Sequence, residues 1–138
     1  GFTIDTSPTE QLQRKGRARL FLKFGDYIKD FEAYVVTASD TLISTHPDTL
    51  RRFLKGYYET IGFMRDNKAK TVAIAAEVQH VDPDIAASTY DVMMGAFSTN
   101  GKFEPAALRV LGRSFVELDL LSKEPEMSTL LTEEFLPR

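Results

Sequence analysis

Three features of this chain have residue types that could do chemistry: the hydroxyl run Thr6-Ser7-Pro8-Thr9, the histidines His46 and His80, and a few acidic and aromatic pairs. The hydroxyl run carries the strongest physical argument. A strand reading from Phe2 to Asp5 runs into it, and Ser7 with Glu10 three residues on has the pattern of a capping box. Pro8 then stands at the first helical position. A helix starting there presents free backbone N–H groups and the positive end of its dipole. Such a place binds a carboxylate, sulfonate, phosphate or nitrate without a charged side chain. Thr6, Ser7 and Thr9 are therefore the candidate ligand-binding residues, against the plainer reading that Ser7 only caps its own helix.

The other candidates are weaker. His46 and His80 have no cysteine partner, no H-E-x-x-H spacing and no nearby nucleophile pattern. His46, beside Pro47, reads as a helix cap, and His80 as a helix-end residue favoured by the negative end of the dipole. Asp82 and Asp84 are accounted for by capping, and Glu133-Glu134 by solvation near a helix end. Met93-Met94 with Phe97, and Tyr57-Tyr58, could line an apolar pocket, but at helical spacing they read as core. No Gly-rich phosphate loop, nucleophile elbow or calcium loop occurs. The expectation is no catalytic residue, no metal and no cofactor.

The elements that would position these residues come from a chain of 138 residues, 43% hydrophobic and 27% charged, enough for one folded domain. A net charge of -3 argues against nucleic acid or an anionic membrane as partner. With no cysteine, disulfides and thiolate chemistry drop out. No apolar run approaches the roughly 20 residues that span a bilayer, and no signal peptide opens the sequence.

A short helix is expected to about Lys15, stopped by Gly16. Ala18, Leu20, Leu22 and Phe24 alternate with Arg17, Arg19, Phe21 and Lys23, which predicts a strand over 17–24. Tyr27 to Asp30 reads as an irregular turn. The Tyr-, Val- and Thr-rich stretch from 32 to 39 predicts a second strand, and 39–44 a short helix. Pro47 starts the main helix, whose stripe is Leu50, Phe53, Leu54, Tyr57, Ile61 and Met64. Gly56 and Gly62 within it suggest that another element packs close by. Further helices are expected over Thr71–His80, from Pro83 (stripe Ile85, Thr89, Val92, Met93 and Ala96), from Pro105, and over about Met127–Glu134. Asn100-Gly101 marks a tight turn.

The order of these passages resembles the nitrate/sulfonate/taurine group (NMT1/THI5-like) of ABC-transporter solute-binding proteins. The resemblance is carried by Ile4-Asp5-Thr6-Ser7-Pro8, Lys15-Gly16-Arg17-Ala18-Arg19-Leu20 and Val36 to Ile43. It continues through His46-Pro47-Asp48-Thr49-Leu50-Arg51-Arg52-Phe53-Leu54, Asn100-Gly101-Lys102-Phe103 with Pro105-Ala106-Ala107-Leu108, and Glu134-Phe135-Leu136-Pro137. It implies an α/β fold of the type II periplasmic-binding-protein kind, here a few N-terminal strands followed by about five helices. Residues 1–31 would end the second lobe, 32–39 would be the crossing hinge strand, and 40–138 the helical part returning to the first lobe. The implied function is the periplasmic substrate-binding component of an ABC importer, present as a C-terminal fragment with its signal peptide upstream. A small anionic or heterocyclic nutrient and an ABC permease would be its partners. A truncated chain would expose surface meant for the missing lobe, so a homodimer is also expected. The alternatives are an enzyme related to the pyrimidine-precursor synthases of the same fold, and a helical protein-interaction domain.

Overall fold

A computed structural model describes residues 4–137. Among them are six α-helices: α1 (Thr6–Arg14), α2 (Asp40–Thr45), α3 (Pro47–Asp66), α4 (Lys68–Gln79), α5 (Pro83–Ala96) and α6 (Pro105–Glu117). Single 3-10 turns lie at Phe24–Asp26 and Met127–Thr129. There is no β-strand among the described residues, which corrects the expected α/β class with N-terminal strands. Phe2 and Thr3 of the first expected strand lie outside the described residues. The segments 17–23 and 31–39 carry no helix and no strand pairing. The physical reason is that strand propensity measures the fit of a side chain to a pleated, half-covered surface, so it is realised only against a neighbouring strand. Neither segment has one.

Helix starts and stops follow the local chemistry more closely. Gly16, at φ 65°, closes α1 just past Lys15, as the sequence indicates. Ser39 caps α2, its hydroxyl accepting from the Leu42 N–H at 3.2 Å. Pro47, Pro83 and Pro105 each stand first in their helices, where a missing N–H costs no helical bond. The helix expected over Met127–Glu134 shortens to its 3-10 turn.

The chain forms two compact units. The first comprises the chain up to Lys23 with Glu59–Thr99. Here α5 packs against α1 and α4, with Ile61, Ile85 and Ala86 buried. Arg14 pairs with Asp84, and the Ser88 hydroxyl donates to Glu10. Lys68 reaches Asp91 at 2.6 Å and lies over the Tyr90 ring. The Tyr90 hydroxyl donates to the Met64 carbonyl at 2.7 Å, and Arg65 donates to the Phe97 carbonyl at 2.7 Å. These two bonds satisfy carbonyls at the ends of α3 and α5, where no helical partner exists.

The second unit comprises Phe24–Tyr58 and the chain from Asn100 on. Its buried apolar residues are Leu50, Ala107 and Phe135, and the Arg51 guanidinium lies over the Phe135 ring. Gly101, at φ 75°, fits against Tyr58 and Leu136. A methyl group at Gly56 or Gly62 would meet nothing within 4 Å, so the close neighbour expected at those glycines is not there.

Candidate functional site

The three hydroxyl residues lie in the first turn of α1, but two residues further into the helix than the capping pattern implies. Asp5 holds the N-cap position, and its side chain makes no capping bond. Ser7 is the second helical residue, so it does not cap. Glu10 turns to Ser88 instead of back to the cap, and the capping box is not formed. The cause is tertiary: an ordered hydroxyl on α5 competes for the Glu10 carboxylate better than one exposed amide does.

This arrangement decides which groups remain for a ligand. The Thr9 N–H bonds the Asp5 carbonyl at 3.1 Å, and the Thr9 hydroxyl donates to the same oxygen at 2.8 Å. Thr9 therefore offers only an acceptor lone pair. Pro8 has no N–H. The donors left in this turn are the amides and hydroxyls of Thr6 and Ser7, which are half-buried. Asp5, one residue before, puts a carboxylate at the same end of the helix. It opposes an anion and favours a ligand that also brings a hydrogen-bond donor, as a protonated heterocycle does.

The same unit holds the Arg14–Asp84 pair. The Arg14 guanidinium holds the Asp84 carboxyl below the usual carboxylate range, chiefly through its hydrogen bond, and Asp84 raises Arg14 in return. Both groups are exposed, so the pair fixes the approach of α1 to α5 more than it stabilises the fold.

Both histidines lie at helix ends, His80 where the sequence indicates and His46 closing α2 instead of acting only as the expected cap of the helix from Pro47. His46 is the C-cap of α2, with its Nδ1 2.6 Å from the Thr45 hydroxyl, and His80 is the left-handed C-cap of α4 at φ 54°. No group of three metal-ligating side chains occurs among the described residues. Met93, Met94 and Phe97 are half-buried. Tyr58 meets Tyr57 edge to face at 5.5 Å, and burial, with Tyr57 beside it, raises the Tyr58 phenol above its ordinary value.

Two features escaped the sequence reading. Glu133 accepts the Phe103 N–H at 2.9 Å, so it is not simply solvated. An open groove of about 340 Å3 runs beside it, lined by Phe103, Pro105, Leu108, Leu131 and Thr132 among others. Neither leaves a local signal, because both depend on residues 103–108 and 128–133 meeting in space. No helix among the described residues is long and apolar enough to cross a membrane. No protein-family model, curated protein or solved structure matches this chain.

Proposed function

We propose that this chain serves as the C-terminal, helical portion of the extracytoplasmic solute-binding component of an ABC importer. Its parent would bind a small anionic or heterocyclic nutrient and deliver it to a permease. The observation that carries the reading is the amount of apolar side chain the units leave uncovered. Phe21 is 87% exposed and Tyr34 77%, both on stretches with strand-type composition and no strand partner, and Tyr27 in the turn between them is 76% exposed. Apolar surface of this kind fits a portion that packs against further polypeptide. The helix starts at Pro47 and Pro105, with the turn at Gly101, fall within passages that carry the resemblance. In this reading Thr6 and Ser7 donate to the ligand and Thr9 accepts from it. Function is capture and release through hinge closure, without bond-making.

The test is made on the native polypeptide that carries this sequence, recovered from periplasmic and cytosolic fractions. The expected product is periplasmic, longer than this chain, with a cleaved leader, and it retains a small molecule without turning it over. Ser7→Ala in that product is expected to weaken retention. A cytosolic product beginning near Phe2, with no small molecule bound, overturns the reading.

One finding favours a second reading. The absence of strands among the described residues suits a helical protein-interaction domain, whose uncovered apolar side chains would meet a protein partner. Any small-molecule retention separates the two.

A further inference from the structure

The open groove of the second unit is bounded on one side by Phe103 and the first turn of α6, where Pro105 and Leu108 stand three residues apart on one face. Leu131, Thr132 and Glu133 bound the other side. Its volume of about 340 Å3 is that of a small-molecule site. Phe103, Leu108 and Leu131 are half-buried and give it an apolar wall. The polar groups of the groove are mostly acceptors. Glu133 Oε1 accepts the Phe103 N–H at 2.9 Å, a charge-assisted bond that fixes the carboxylate at the rim. The second oxygen, Oε2, meets no donor among the described residues. The Ser128 hydroxyl gives its proton to Glu126 at 2.7 Å and is left as an acceptor. Only the Thr132 hydroxyl, which accepts the Glu134 N–H at 3.3 Å, keeps a proton to give. No basic side chain lines the groove, and Lys102, next to Phe103 in the chain, is exposed and outside the lining.

We propose that this groove is a binding site for a small organic cation, a primary ammonium carried on an aromatic or alkyl body. The ammonium donates to Glu133 Oε2, and the body lies along Phe103, Leu108 and Leu131. Charge and hydrogen-bonding capacity select this class. An ammonium brings N–H donors and a positive charge to a wall that offers a carboxylate and acceptors. A carboxylate or phosphate ligand would meet like charge and find one donor among the lining side chains. The Glu133 carboxylate is already held by the backbone, so capturing the cation orders few further torsions. The groove belongs to the second unit and shares no residue with Thr6, Ser7 and Thr9. The inference therefore goes beyond the solute-receptor reading and is tested on this chain alone.

The experiment titrates the chain with phenethylammonium and follows the backbone amide shifts by NMR. It is repeated with phenethyl alcohol, which has the same body without the charge, and with methylammonium, which has the charge without the body. Saturable shifts are expected at Phe103, Leu108, Thr132 and Glu133. Phenethylammonium should bind about threefold more tightly than the alcohol, the preference an exposed carboxylate allows, and methylammonium more weakly than either. Glu133→Gln keeps an oxygen for the Phe103 N–H and removes the charge, and is expected to bring the amine and the alcohol to equal affinity. Equal affinity in the unaltered chain overturns the proposal, because the groove would then read only the apolar body. That comparison is made on the unaltered chain and does not depend on how the variant folds. A preference that survives Glu133→Gln also overturns it, as does methylammonium binding as tightly as phenethylammonium, or the absence of saturable shifts at these residues.

Discussion

Single residues show where the backbone, and not the side chain, sets the requirement. Gly101 combines a positive φ with a site where a methyl group would run into the Tyr58 hydroxyl and come within 2.6 Å of a Leu136 methyl. Gly101→Ala is expected to destabilise by about 1–3 kcal/mol, read as a lower urea midpoint. Gly56 lies in the interior of α3 with open space around it, so Gly56→Ala is expected to stabilise by about 0.5–1 kcal/mol. The two glycines look alike in the sequence, and only the conformation at 101 hints at the difference, through the turn-forming Asn100 before it. A pH dependence belongs to this scale too. The Asp84 carboxyl is held below its ordinary value by Arg14, so the unfolded chain binds that proton more readily than the folded one. Its contribution is present above the unfolded value and is lost as pH falls through the folded one. Asp84→Asn should therefore narrow the gap in Tm between neutral and acid pH by a small amount, since the pair is exposed.

Among the elements, helices were legible and strands were not. Several helix starts are written in a short local code, Ser39 before α2 and Pro83 and Pro105 at the heads of α5 and α6, and the chain obeys it there. Ser39→Ala is expected to cost about 1 kcal/mol, detectable as a loss of helical ellipticity and of Tm. The alternation over 17–24 and the β-rich run over 32–39 are equally regular, yet a strand needs a neighbour that no local code can supply. The Thr6-Ser7-Pro8-Thr9 run was legible as the start of a helix but not in its register. Glu10 is drawn to Ser88, 78 positions away, and the helix begins at Thr6 with Asp5 before it. Apolar stripes were half legible. Leu50 and Ile61 of α3 are buried as their spacing requires, while Phe53 on the same stripe is 54% exposed. Ile85 of α5 is almost fully buried, and Ile85→Ala is expected to cost about 2–4 kcal/mol by chemical denaturation.

At the scale of the whole molecule, burial is spread thinly within each unit. Ile61, Ile85 and Ala86 centre one, and Leu50, Ala107 and Phe135 the other. Helix α4 joins the first unit through half-buried side chains. It contains no buried residue, hangs from α3 through the single residue Asn67, and ends in the left-handed His80. Its tie to α5 includes the exposed Lys68–Asp91 pair. Its packing on α5 rests on half-buried side chains such as Val72, Ala75 and Ala76, so it opens at a lower cost than the buried Ile61 and Ile85. The chain should consequently lose its secondary structure in stages. In deuterated buffer the amides of 72–79 should exchange well before those around Ile61 and Ile85. A protease supplied at low dose should cut first within α4, leaving two long fragments that still sediment together.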